Sequence, residues 1–320
     1  MNYILLILGL ATLIVGGELL VRGAVGIAKK AQLSTLVIGM TVISFGTSAP
    51  ELFVSIDSAM AGNPDIAMGN VVGSNIANIA LVLGLTVLIL PIAVDRNSKI
   101  IDWPVMFGAT LLFVLFSYDL VIEWWEGAIL FGILLIFTYL LIRNSRRTSK
   151  KAKAAAAEAI EDDEVASVKD KIGISILLTL LGLVGLYFGA GWLIDGAVGI
   201  AESFGMEERV IAVTVVAFGT SVPELVTSGV AAFKGETDIS VGNLIGSNIF
   251  NIMAVIGVTA MVKPISVDEQ ILNSDMLWMV GISLAILPMM LIGKKIGRLK
   301  GTLLLSTYII YIALLVMSIQ

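Results

Sequence analysis

SFGTSAPELFVSIDSAMAGNPDIAMGNVVGSNIAN (residues 44–78) recurs as AFGTSVPELVTSGVAAFKGETDISVGNLIGSNIFN (residues 217–251). The two stretches align without a gap at an offset of 173, and 19 of the 35 positions are identical. They share a polar set: Gly-Thr-Ser-x-Pro-Glu, followed by Gly-Asn-x-x-Gly-Ser-Asn-x-x-Asn. A bilayer disfavours such residues, so their duplication inside apolar segments points to a site built where two repeats meet.

Working outward, the chain is 58% hydrophobic and only 14% charged, with mean hydropathy +0.99. Soluble domains carry about 25% charged residues, so an integral membrane protein is expected. Cys and His are both absent. That excludes disulfides and thiolate or imidazole metal sites, and it leaves any proton chemistry to carboxylates. Ten apolar segments approach the roughly 20 residues that a bilayer core requires: 3–28, 34–60, 64–90, 98–118, 124–143, 172–201, 208–232, 238–262, 270–292 and 300–318. The first contains Glu18 and Arg22 and has no basic residue before it, which argues against a cleaved signal peptide.

With the N-terminus outside, seventeen of the twenty Lys and Arg residues fall in cytoplasmic loops and only Arg209 and Lys263 fall outside. The positive-inside rule therefore predicts that both termini are extracytoplasmic. The offset of 173 spans five segments, an odd number, so the two copies must have opposite orientations. It also carries Gly-Ala-Val-Gly-Ile-Ala at 23–28 onto 196–201. The expected fold is an all-α membrane protein of ten transmembrane helices in two inverted five-helix repeats, 1–143 and 171–320. The charged, low-complexity stretch 144–170 between them is expected to be a solvated cytoplasmic tether, helical in part.

Pro50 has no N–H and clashes with the carbonyl four residues earlier, so Gly46 is expected to lose its helical partner; Pro223 does the same to Gly219. Carbonyls around Ser44–Thr47 and Ala217–Thr220 become candidate ligands, joined by the hydroxyls of Thr47, Ser48, Thr220 and Ser221. Glu51 and Glu224 then fall in the first turn of the continuing helix, where the dipole favours an ionised carboxylate. A plain proline bend would not explain a Glu directly after each Pro. On the following helices, Asn70, Ser74 and Asn78, and Asn243, Ser247 and Asn251, are spaced i, i+4, i+8 along one face. Asn70 and Asn243 suit interhelical hydrogen bonding as well as they suit ligation. The other four suit an ion shell. Many neutral oxygens with two carboxylates and no nitrogen or sulfur fit Ca²⁺.

Asp57 lies about 240° round the helix from Glu51 and is expected at an outer vestibule or in an interhelical hydrogen bond. Glu18 and Arg22, spaced i, i+4, are expected to pair. Trp103, Trp124, Trp125 and Trp192 are expected near the interfaces.

On these motifs the chain resembles the cation/Ca²⁺ exchanger superfamily, in particular its prokaryotic sodium/calcium exchanger branch, over essentially its whole length. The resemblance implies counter-transport of Ca²⁺ against Na⁺ by alternating access, with the first and sixth helices sliding across the other eight. It assigns Ca²⁺ to Glu51 and Glu224 with the Thr47 and Thr220 carbonyls. It assigns Na⁺ to the Ser44 and Ala217 carbonyls and to Ser48, Ser221, Ser74 and Ser247, and it places Asn78 and Asn251 in the middle. K⁺-requiring relatives carry Asp at the position of Asn251, so Asn here resembles the K⁺-independent type. With both glutamates ionised, one Ca²⁺ would balance the site, whereas three Na⁺ would make exchange electrogenic. The implied partners are the two ions and the bilayer, with no cofactor and no nucleic acid; both half-sites lie in one chain, so a monomeric unit is expected. The alternatives are an H⁺-coupled or K⁺-dependent antiporter, a passive channel, or an intramembrane enzyme. The last would need His ligands, paired aspartates or a base for Ser48 or Ser221, which the sequence does not offer.

Overall fold

The computed structural model describes residues 1–94, 96–159, 172–205, 217–293 and 295–319. These form twelve helices and four two-residue strands. The helices are α1 Asn2–Ala31, α2 Thr35–Thr47, α3 Ala49–Ala61, α4 Pro64–Ile89, α5 Ser98–Phe116, α6 Trp124–Ala159, α7 Ile172–Ser203, α8 Ala217–Thr220, α9 Val222–Phe233, α10 Thr237–Val262, α11 Ile271–Leu291 and α12 Arg298–Ile319. Among the described residues, eight helices are long and apolar enough to cross a membrane, and the pair α2–α3, bent by 41°, makes a ninth candidate span. The expected segment 208–232 begins at residues outside the described ones, which resume at Ala217.

Sequence punctuation sets the element ends. Ser34 caps α2, its side chain accepting from the Val37 N–H at 3.3 Å. Gly62 closes α3 at φ +89° and Gly235 follows α9 at φ +80°, a left-handed conformation that glycine enters without a Cβ clash. These two glycines are 173 residues apart. In the stretch from 144, expected as a tether helical in part, α6 continues to Ala159, and residues 160–170 lie outside the described ones.

α1 and α7 pack antiparallel along glycines spaced by seven. A Cβ on Gly9, Gly16 or Gly23 would meet the backbone of Leu193, Leu186 or Thr179; one on Gly182, Gly189 or Gly196 would meet that of Leu20, Leu13 or Leu6. Small residues at these heights let two helix backbones touch, which is how helices bind each other where lipid removes the hydrophobic driving force. Glu18 on α1 pairs with Arg22 as expected, and also with Lys234 at the end of α9, both at 2.5 Å.

Two strand pairs join the halves: β1 (Ile92–Ala93) with β4 (Lys295–Ile296), and β2 (Val121–Ile122) with β3 (Ile265–Ser266), both antiparallel. β3 follows β1 by 173 residues and β4 follows β2 by 174, so each ribbon takes one strand from each half and the two ribbons are counterparts. The buried core centres on α4 and α10, whose apolar windows are 78% buried, against 33% or less for the other spanning helices. Trp103 packs inside the protein, and its indole Nε1 donates to the Ser283 carbonyl at 2.9 Å, which ties α5 to α11.

The glycine seam predicts that Gly182→Ala destabilises the protein by about 1–3 kcal/mol, because its Cβ would press on the Leu20 backbone. Gly191→Ala, on the same helix with open space around it, should leave the melting temperature in detergent unchanged.

Candidate ion-binding site

The helix break forms where proline removes a donor. Ser48 sits between α2 and α3 at φ −88°, ψ 4°, and Ser221 between α8 and α9 at φ −88°, ψ 0°. Both occupy the sparsely populated bridge region, with Pro in the first turn that follows. Glu51 and Glu224 stand in those first turns and both are completely buried. Ser44 keeps part of its helical bonding, since its carbonyl accepts from the Ser48 N–H at 2.9 Å. Its hydroxyl serves structure, donating to the Gly39 carbonyl at 2.7 Å and lying 3.1 Å from that of Asn243.

Contacts across the halves assemble the expected residues. Ser48 Oγ donates to Glu224 Oε1 at 3.4 Å. Thr47 Oγ1 lies 3.2 Å from Asn243 Oδ1 and 3.3 Å from Ser247 Oγ. The first half's break thus meets the second half's carboxylate and polar stripe. Thr220 and Ser221 are buried as well, and Ala217 begins α8.

The two asparagines for which the sequence left two roles open make structural bonds. Asn70 Nδ2 donates to the Glu51 carbonyl at 3.1 Å and to Ser55 Oγ at 3.0 Å; Asn243 Nδ2 donates to Ser228 Oγ at 3.0 Å. The remaining polar atoms behave differently. Both carboxylate oxygens of Glu51, Oε2 of Glu224, the hydroxyls of Ser74 and Ser221, and both amide atoms of Asn78 and Asn251 are buried without a hydrogen-bond partner. Buried polar groups are normally paired, so these unpartnered oxygens on the two break helices and the helices facing them are the candidate ligands. Asn78 and Asn251 each stand in a π-helical turn, Ala77–Leu83 and Asn251–Ile256. Such turns are rare and frequent at functional sites. A cavity of about 20 Å³ touches Asn78 and Asn248 among apolar side chains, room for one water molecule.

Among the described residues, no Lys or Arg forms an ion pair with Glu51 or Glu224. Two buried carboxylates with no protein cation need a mobile cation or a proton to match them. Asp57 is exposed and forms no hydrogen bond or ion pair among the described residues, consistent with a place outside the shell. Two further polar pairs carry no separate signal in the sequence. Asn75 and Asn248 bond back to the Val71 and Leu244 carbonyls at 2.7 and 2.8 Å. Thr227 and Ser240 are buried hydroxyls near the site with no counterpart in the first half.

The geometry separates bonded from free polar groups by stability. Asn70→Leu should cost about 1–3 kcal/mol by orphaning the Glu51 carbonyl and Ser55. Ser74→Ala, which removes an unpartnered hydroxyl, should stay within about 0.5 kcal/mol of wild type. Thermal unfolding of the detergent-solubilised protein measures both.

Comparison with known proteins gives a consistent picture. The family described as Sodium/calcium exchanger protein matches residues 1–143 and 174–317. The chain is 36% identical over 317 residues to the uncharacterized membrane protein MJ0091 of Methanocaldococcus jannaschii, covering 98% of this chain and 97% of that one. It is 30% identical over 343 residues to the sodium/calcium exchanger MaX1 of Methanosarcina acetivorans, covering 98% of each. Among solved structures it is similar to the sodium-calcium exchanger NCX_Mj soaked with Na⁺ and Sr²⁺, with TM-score 0.83, 33% identity, and coverage of 98% of this chain and 97% of that one.

Proposed function

This chain belongs to the sodium/calcium exchanger protein family, and from that premise we propose that it exchanges Ca²⁺ for Na⁺ across a membrane by alternating access. One observation carries the reading: Glu51 and Glu224, one from each half, are buried together with free hydroxyl and amide oxygens and with no Lys or Arg paired to either among the described residues. A hard divalent cation fits two carboxylates among neutral oxygens. Na⁺, competing for the same carboxylates, would displace it.

In this reading Ca²⁺ lies between Glu51 and Glu224 with the Thr47 and Thr220 carbonyls. Na⁺ uses Ser48, Ser221, Ser74 and Ser247 with the Ser44 and Ala217 carbonyls, and Asn78 and Asn251 line the centre. Asn251 supplies no charge, which supports independence from K⁺. The ten-helix count, with halves 1–143 and 171–320 joined by 144–170, is supported by the antiparallel α1–α7 seam and the counterpart ribbons. Both termini are extracytoplasmic by the distribution of basic residues. The unit works as a monomer, since each half supplies one carboxylate, and it needs no cofactor because the ions are the cargo. α1 and α7, seamed by glycine, move as one body against the rest.

Purified protein in proteoliposomes should take up Ca²⁺ against an outward Na⁺ gradient, indifferent to K⁺. An outward H⁺ gradient alone should drive none, and uptake under that condition would transfer the protein to the proton-coupled branch. Glu51→Gln and Glu224→Gln should each drop Na⁺-driven uptake below about a tenth of wild type, since losing a charged ligand costs more than about 1.4 kcal/mol. Normal flux in either variant would refute the site.

A further inference from the structure

The two halves are alike in sequence, but the structure holds them differently. α1 packs along α9. A Cβ on Gly17 would stand 3.0 Å from Val226 Cγ1 and 3.6 Å from Val230 Cγ2, and Val222, Val226, Val230 and Ala231 share one apolar cluster with Leu13 and Leu20. The mirror contact, of α7 on α3, is much sparser among the described residues. Phe53 and Asp57, the counterparts of Val226 and Val230 173 residues earlier, are exposed. A carboxylate such as Asp57 is costly against lipid, so this open face is a wet one. The structure thus shows one of two mirror-related states, closed where α1 meets α9 and open at the equivalent place on α3. Exchanging the conformations of the halves gives the other.

An ion pair ties the closed seam. Lys234, just after α9, donates to Glu18 of α1 at 2.5 Å. The mirror pair would be Gly191 on α7 with Ala61 at the end of α3, neither of which carries a charge. We propose that Glu18 and Lys234 form a latch that holds α1 on α9 and favours the state closed on that side, with no equivalent in the state closed at α3. The inference rests on the exchange reading above, in which α1 and α7 move as one body. Arg22 lets the latch open. It pairs with Glu18 from the same helix, so it travels with α1 and keeps Glu18 matched when Lys234 is left behind. Lys234 stands at an exposed helix end beside Gly235, so its ammonium reaches water once released. The Lys234 and Glu18 side chains are 28% and 30% exposed, which keeps the pair weak enough to break in every cycle. On the orientation read from the basic residues, the latched side is the cytoplasmic one, and the protein rests open to the outside.

The chain has no cysteine, so one introduced thiol can report the seam. Val230→Cys places it against α1 in this state and, by the example of Asp57, in water in the other. The rate of its reaction with a water-soluble maleimide is measured on purified protein in detergent. On that background Lys234→Met and Glu18→Gln should each speed labelling about fivefold, the upper range for a partly exposed ion pair. The two together should do no more than either alone, and Lys234→Arg should match Val230→Cys by itself. An unchanged rate in Lys234→Met would overturn the proposal. So would multiplying effects of the two substitutions, or an equal rise when the thiol is placed instead by Thr110→Cys, a buried position in α5, since that marks general loosening. Ca²⁺ uptake by proteoliposomes is followed separately. If wild type shows no Na⁺-driven uptake, the exchange reading fails, and the labelling rates still decide the latch.

Discussion

The protein is organised around two buried carboxylates that none of its described cations pairs with. Glu51 and Glu224 are fully buried, and the ion pairs among the described residues form elsewhere, at Glu18. Charge in a low-dielectric interior is tolerable only when matched. A sealed site must therefore hold cations or protons, and an emptied one must open to water. The remaining features serve that condition. Proline interrupts a helix so that each carboxylate enters at a helix N-terminus. The partner helix presents oxygens along one face. Asn70 and Asn243 brace the interrupted segments, so the free oxygens are held in place without being consumed.

Much of this was legible because polar residues are conspicuous in an apolar chain. The doubled Gly-Thr-Ser-x-Pro-Glu gave the break and the carboxylates, and the i, i+4, i+8 stripe gave the facing oxygens. The roles of Asn70 and Ser74 were not separable, since both lie on one stripe and only the position of an acceptor distinguishes brace from ligand. The glycine seam was written plainly, at intervals of seven in α1 and α7, yet glycine is common in membrane helices and the spacing means little until a partner helix is known. Two-residue strands carry no periodicity to read. The bond from the Trp103 indole to the Ser283 carbonyl had no signal in the sequence, because an indole's acceptor is set by a helix far away in the chain.

Duplication makes departures informative. Where 173 residues separate like from like, the fold requires both copies. Where they separate unlike, something besides the fold has acted. Glu18 and Lys234 map onto Gly191 and Ala61, so their ion pair has no twin across the pseudo-symmetry axis. The hydroxyls past Glu224 belong to the same class. Both asymmetries lie toward the end of the molecule where α9 turns into α10, so the two ends of the repeated frame differ chemically although the frame itself is alike.

The cross-paired ribbons have a consequence in time. β1 ends at residue 93 and its partner β4 begins at 295, so the ribbon's first edge waits while about two hundred residues are made. At synthesis rates of about 5–20 residues per second, that is roughly 10–40 s. Until Glu224 is made, the first half has its carboxylate and its break without the second carboxylate, and the edges of β1 and β2 wait for strands further along the chain. α12 follows directly on β4. The ribbon therefore closes only after both carboxylates have been made, so the frame is completed around the pair and not around one of them alone.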